Sequence, residues 1–340
     1  MKRIVLGLVL AVVVAIAGVG VWVLSGITTP YKGYDGPEQF VEIPQGAGPA
    51  AIGRRLVAAG VVRDRVAFRA EVARSGAGRK LQAGEYRFDR PMTVADVVAK
   101  IARGEVHLLP ITFREGLTMR QMAEVFEAKG FGTAAEFTRA ASDESLVREV
   151  DPSARDLEGY LFPDTYALPR RATAGQLVAS MVASFHKALT PESRTRAAAR
   201  GLGVRELVTL ASLVEKETGK AEERTLVAAV YANRLAIGMG LQCDPTVIYA
   251  LEKAGRYDGN IRREDLQFDS PYNTYRYAGL PPGPIAAPGR ASLEAAANPA
   301  DVPYLYFVSR NDGSHAFSTT LEEHNRNVFE FQKRRGRARP

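Results

Sequence analysis

The sequence predicts a mixed α+β protein built from a single N-terminal transmembrane helix, a region of short strand–helix units, and a larger, helix-rich mixed domain. Three observations predict it. Residues 4–24 carry no charge, two twenty-residue stretches repeat each other at an offset of 70, and beyond about residue 155 helical periodicity alternates with loops rich in proline and tyrosine. A length of 340 residues leaves room for two globular units plus extensions. With 46% hydrophobic and 24% charged residues, the composition is that of an ordinary globular core.

The charge balance excludes one class of partner. Net charge is +7, but five of those charges sit in the tail KRRGRARP, residues 333–340, and no basic stripe interleaved with aromatics occurs elsewhere. The tail reads as a disordered end or a contact for anionic polymer or lipid, and nucleic acid is not an expected partner. The single cysteine, Cys243, permits neither an intramolecular disulfide nor a cysteine metal site. The four histidines (His107, His186, His315 and His324) are scattered without an HExxH pattern, and no Walker, Rossmann or GxSxG motif is present. No metal and no cofactor is expected.

In chain order, Ile4–Leu24 is an uncharged run of 21 residues, which at ~1.5 Å per residue spans a ~30 Å hydrocarbon core. Ala15-Ile16-Ala17 resembles a signal-peptidase site, but the apolar run continues seven residues beyond it to include Trp22, which favours an uncleaved anchor. Lys2 and Arg3 predict a cytoplasmic N-terminus, a single pass, and an extracytoplasmic remainder, periplasmic in a Gram-negative cell. Residues 1–25 are thus assigned as stub and anchor, and residues 26–39, rich in Gly, Pro and polar residues, as a linker.

Residues 40–130 hold the strand–helix units. VEIPQGAGPAAIGRRLVAAG (41–60) aligns with ITFREGLTMRQMAEVFEAKG (111–130), matching Gly46 with Gly116 and Gly60 with Gly130. Each reads as strand, turn glycine, amphipathic helix and glycine stop. AGEYRF (83–88) followed by MTVADVVAKIARG (92–104) is a third, partial unit, and Thr93/Asp96 and Thr118/Gln121 have capping-box spacing. The units resemble the LysM module, which implies glycan binding; units that only position the following domain would read the same way. Residues 131–154 are a connecting helical region.

From residue 155 to 332 the pattern is that of the main domain. Its organising stretch is LVTLASLVEKETG (207–219), an apolar helix with Gly219 as its stop and with Glu215 and Glu217 near its end. Asp244 before Pro245 reads as the N-cap of a helix over DPTVIYAL (244–251). The loop DSPYNTYRYAGLPPGPIAAPG (269–289) carries five prolines and three tyrosines, and loops of this length in compact domains usually have a function. A carboxylate beside tyrosine- and asparagine-rich loops suits carbohydrate, because aromatic faces cover sugar C–H surfaces and amides bond hydroxyls. Glycoside cleavage generally needs two carboxyls flanking one bond. Two residues apart on a helix, Glu215 and Glu217 point ~200° apart and cannot supply that pair, so a one-carboxylate mechanism fits better. Periodicity does not choose between them.

Residues of about 155–330 resemble the catalytic domain of the endolytic murein transglycosylases, the YceG-like family. The runs that carry the resemblance are EGYLFPDTY (158–166), LASLVEKET (210–218), VYANRL (230–235), LQCDPTVIY (241–249), YNTY (272–275), GLPPGPIAAPG (279–289) and YLYFV (304–308). Cys243 departs from the small polar residue more common there. The resemblance implies cleavage of the MurNAc–GlcNAc β-1,4 bond within peptidoglycan strands to 1,6-anhydro-MurNAc ends, with Glu217 as the single acid, and peptidoglycan synthases as neighbours. Glu215 and Asp244 are candidate supporting groups. Tyr272, Asn273, Thr274, Tyr275, His315, Phe317, Tyr160 and Asp164 are candidate glycan contacts. A non-catalytic glycan-binding scaffold and a glycan hydrolase are the alternatives.

Overall fold

The computed structural model describes the backbone of residues 2–334 and most of their side chains. The side chains of Lys2 and Arg3, on which the predicted orientation rests, and of the basic tail from Lys333 lie outside the described residues. Two compact units are formed, one from Met1–Leu109 with Ala167–Arg171, the other from Pro110–Tyr166 with Ala172–Pro340. The two repeats at offset 70 therefore belong to different units.

In the first unit, α1 (Lys2–Thr28) is followed by β1 (Gln39–Ile43), α2 (Pro49–Ala58), α3 (Arg65–Ser75), β2 (Gly84–Phe88) and α4 (Val94–Arg103). β1 and β2 pair antiparallel, with Val41 opposite Tyr86. Val41, Ile43, Tyr86 and Phe88 point from this ribbon into a core shared with Ile52 and Leu56 of α2, Phe68 of α3, and Val97 and Ile101 of α4. Leu6–Thr28 of α1 is long and apolar enough to cross a membrane. The helix runs to Thr28, and Ile27 is buried in the same core, so the predicted linker starts inside a packed helix. Its remainder is fastened as well. Tyr31 and Met92 exchange backbone bonds, Gly33 N–H donates to Gly60 O (2.8 Å), and the Tyr34 hydroxyl donates to Phe88 O (2.9 Å). Polar composition concealed this because backbone groups and a tyrosine tip make these bonds.

The chain enters the second unit within β3 (Leu109–Thr112), continues through α5 (Met119–Ala128) and α6 (Ala134–Ala141), and leaves it within β4 (Thr165–Leu168), which pairs with β3, to return at Ala172. α5 lies 70 residues beyond α2 at both ends, and Gly46, Gly116, Gly60 and Gly130 all have positive φ (77°, 74°, 69° and 75°). Glycine tolerates that region without the Cβ clash other residues meet, so the repeat seen in sequence is a repeat of backbone conformation. Capping boxes close the N-termini of α4, α5 and α6, the first two at the predicted pairs.

Next come α7 (Ala174–Ala188), α8 (Pro191–Ala199), α9 (Val204–Glu217), α10 (Arg224–Ala236), α11 (Asp244–Lys253) and α12 (Arg290–Ala297). The unit closes with β5 (Tyr306–Ser309), β6 (His315–Ser318) and α13 (Leu321–Val328). α9 is central: α8, α10, α11 and α12 all pack on it, and every residue from Leu207 to Val214 is buried. A helix apolar on one side only would leave a solvated face; this one has none. Its two buried hydroxyls are satisfied, Thr209 on Arg205 O (2.7 Å) and Ser212 on Thr209 O (2.7 Å), while Ser212 Oγ also accepts the Ile285 N–H (3.1 Å). That last bond ties the proline-rich loop to the helix. Gly159 (φ 83°) packs directly on Pro284, where a Cβ would collide, and so brings the EGYLFPDTY run against the same loop.

Candidate active site

The helix α9 ends at Glu217 because Thr218 turns extended (φ −136°, ψ 131°) and its N–H makes the last helical bond, to Val214 O. Gly219 follows outside the helix and does not take the left-handed conformation expected of a glycine stop. Thr218 is buried and replaces it: its hydroxyl accepts the Lys220 N–H (3.1 Å) and contacts Glu223 (3.4 Å).

Glu217 retains some solvent exposure at this helix end, while its carboxyl is crowded by protein. The hydroxyl of Tyr231, fully buried on α10, donates to Glu217 Oε1 (2.7 Å). The Cys243 thiol bonds the same carboxyl, and Asp244 and His315 are close enough to act on it electrostatically. Burial raises the Glu217 pKa and Asp244 adds to the rise; the Tyr231 and Cys243 bonds and His315 offset part of it. The net direction is upward, which favours the protonated acid. Burial likewise pushes Tyr231 and Cys243 far up, so both remain neutral donors.

Asp244 is the first residue of α11 rather than its cap; Cys243 holds the cap position. The Asp244 side chain instead accepts the Tyr275 hydroxyl (2.5 Å), which brings one end of the YNTY run to the Glu217 site. His315 and Phe317 share a face of the β5–β6 ribbon with Phe307, whose ring lies edge-on to Tyr231 (6.0 Å) and to His315 (5.4 Å). Phe317 completes the row, 6.1 Å from Phe307. Glu223 fixes His315 by accepting both its backbone N–H (3.0 Å) and its Nδ1 (2.7 Å). Burial alone would raise the Glu223 pKa, but these bonds outweigh it and hold the carboxyl below its ordinary value.

Other predicted residues lie elsewhere. Glu215 accepts the N–H of Gly289, the N-cap of α12, at 2.9 Å, an anchoring role at a helix N-terminus. Asn273 and Thr274, 0% and 2% exposed, face inward. Asn273 donates to Leu266 O and Phe268 O and accepts from Tyr275 N–H, while Thr274 Oγ1 accepts from Cys243 N–H and contacts Thr246. Both hold the loop and have no surface to offer a glycan. Tyr160 is buried with its hydroxyl on Asp151 (2.6 Å), and Asp164 accepts the Thr165 N–H at the end of the β3–β4 pair. Tyr272 packs on Tyr249 (ring centroids 4.9 Å apart), away from Tyr275.

The model of the YceG-like family matches residues 41–330. The chain belongs to that family. It is 32% identical over 301 residues to the endolytic murein transglycosylase of Bacillus subtilis, covering 84% of this chain and 82% of that protein. It is 34% identical over 322 residues to the endolytic murein transglycosylase of Streptococcus pneumoniae strain D39, covering 85% of this chain and 58% of the longer relative. A crystal structure of a putative yceG-like protein from Listeria monocytogenes superposes with a TM-score of 0.59 at 32% identity, over 85% of this chain and 98% of that one.

Sequence reasoning missed Tyr231, Glu223 and Arg234. Arg234 is buried, donates to Leu305 O, Gly240 O and Leu241 O, and thereby joins α10 to β5 and to the approach of α11. The available signal was a tyrosine and an arginine inside the VYANRL helix, since a buried hydroxyl or guanidinium demands a partner.

Proposed function

We propose that this YceG-like chain is a membrane-anchored lytic endotransglycosylase that cleaves the MurNAc–GlcNAc β-1,4 bond within peptidoglycan strands, with Glu217 as acid and then base. The observation that carries the reading is Glu217, a residue that keeps some solvent exposure while burial of its carboxyl raises the pKa and a neutral buried tyrosine donates to it. Protonated Glu217 gives its proton to the glycosidic oxygen as the C1–O bond breaks. The resulting carboxylate takes the proton of the sugar's C6 hydroxyl while O6 bonds to C1, which closes the 1,6-anhydro ring and returns Glu217 to its acid form. Water is not consumed, and a second carboxylate is not required. Burial favours the acid form and the Tyr231 bond favours the carboxylate, so neither half of the cycle strands the group. Tyr275, His315 and Phe317 are the proposed glycan contacts beside it.

One observation favours a second reading. Asp244 acts on the Glu217 carboxyl, and two carboxyls at one bond are the equipment of a hydrolase. Its engagement with Tyr275 at the start of α11 supports a role in placing the loop instead. Purified full-length protein incubated with peptidoglycan, followed by mass analysis, separates the readings: anhydro ends support the transglycosylase, reducing ends the hydrolase. Glu217→Gln should abolish cleavage, and a cleaving Glu217→Gln protein with an inactive Glu215→Gln protein would overturn the assignment.

The apolar α1 supports a cell-membrane location, with Lys2 and Arg3 favouring a cytoplasmic N-terminus and the second unit outside. Cleavage there acts on nascent strands next to their synthases and limits strand length. Glycan binding by the LysM-like strand–helix units of residues 40–130 belongs to the same proposal.

A further inference from the structure

Three of the sequence runs that mark this chain meet at a place the Glu217 chemistry does not use. A cavity of about 650 Å³ opens in the second unit, walled by residues 153–156, by Glu158 and Tyr160, by Pro271 and Tyr272, and by residues 282–284. Arg205 on α9 and Lys253 at the end of α11 complete it. Gly283 lies in the wall between Arg205 and Tyr272, 3.4 Å from Arg205 Nη2 and 3.7 Å from the Tyr272 hydroxyl when measured from the position a Cβ would take.

Its charges are unequal. Arg155, Arg205 and Lys253 face Asp156 and the buried Glu158. Arg205 is committed to Asp151 (2.6 Å) and Pro282 O (2.8 Å). The other two cations are not. Arg155 is exposed and makes no hydrogen bond or ion pair among the described residues, and Lys253 holds its ammonium 5.5 and 5.6 Å from the ring centres of Tyr249 and Tyr272. Proline and tyrosine walls with two cations that make no ion pair among the described residues, one of them packed over the tyrosine rings, fit a short peptide that ends in a carboxylate better than a neutral sugar, which offers neither cation a charge.

Position supports this. Arg205 and Glu217 are the second and last residues of α9, twelve rises or about 18 Å apart. Lys253 and Asp244 are the last and first residues of α11, about 13 Å apart. An extended peptide of four or five residues reaches about 13–18 Å. The YNTY loop spans the two places, with Tyr275 on Asp244 at one end, Tyr272 over Tyr249 at the other, and the buried pair Asn273-Thr274 fixing both.

We propose that this cavity binds the carboxylate-bearing peptide substituent of the murein strand whose glycan lies at Glu217. The inference rests on the murein reading of the Glu217 site, and its test uses binding so that the two stand or fall separately. Full-length protein in detergent is titrated with a synthetic murein tetrapeptide, with its C-terminal amide, and with a peptide-free glycan oligosaccharide. The tetrapeptide should bind, and amidation or the Arg155→Ala/Lys253→Ala double variant should weaken it at least tenfold. Glycan affinity should be unchanged in the variant, whose substitutions are at exposed positions. Unchanged tetrapeptide affinity in the variant, no tetrapeptide binding, or an equal loss of glycan binding would overturn the proposal. Inactivity of the wild-type protein on peptidoglycan would refute the transglycosylase reading without touching this one.

Discussion

Replacing Glu158 with glutamine should make the protein more stable at alkaline pH and change little in acid. Glu158 is 7% exposed, accepts the Met119 N–H (2.9 Å) at the start of α5, and accepts the Tyr249 hydroxyl (3.2 Å). Burial drives its pKa up from 4.5 to about 7, against the pull of those two bonds. A carboxyl whose folded pKa lies above its unfolded value stabilises the fold fully below about 4.5, and that contribution is lost as pH rises through about 7. The span between the two values corresponds to about 3 kcal/mol at ~1.4 kcal/mol per pH unit. Glutamine keeps an acceptor for Met119 and carries no charge to desolvate, so it escapes the loss. In a unit of this size the variant should melt roughly 6–12 °C above wild type at pH 8.5. At pH 5 the two should melt within about 2 °C of each other. Thermal melts monitored by circular dichroism at both pH values measure this directly. A difference in melting temperature that does not vary between pH 5 and 8.5 would refute the idea that burial holds this carboxyl near neutrality.

Two further outcomes follow from the site. Tyr231→Phe removes the donor that favours the Glu217 carboxylate, so kcat should fall on the order of tenfold and the alkaline limb of the pH–rate profile should move to higher pH; a limb that stays in place would show that the bond does not tune the acid. Asn273→Ala orphans the carbonyls of Leu266 and Phe268 and frees the Tyr275 N–H, costing about 2–4 kcal/mol, which denaturant unfolding and faster proteolysis within 265–277 should register.

Local chemistry carried much of the fold into the sequence. The Thr93/Asp96 and Thr118/Gln121 boxes, the glycines 70 residues apart and the apolar first helix depend on neighbours a few residues away, and all are legible for that reason. The helices α3, α8 and α12 were not read from the pattern, because their buried stripes are short and alanine-rich or interrupted by charge, and packing against α2 or α9 sustains them.

The functional site divides along the same line. By itself the sequence determined that two glutamates close a helix and that one helix cannot aim both at the same bond. Only the tertiary structure decided their surroundings: Glu215 meets the Gly289 N–H on α12, and Glu217 meets Tyr231 on α10 beside the α11 start and the β5–β6 ribbon. The same holds for YNTY, where four polar residues in a row look equally available, yet packing turns Asn273 and Thr274 inward and leaves the two tyrosines facing different places. A side chain's partners come from segments distant in sequence, and a raised pKa exists only where those segments exclude water from it.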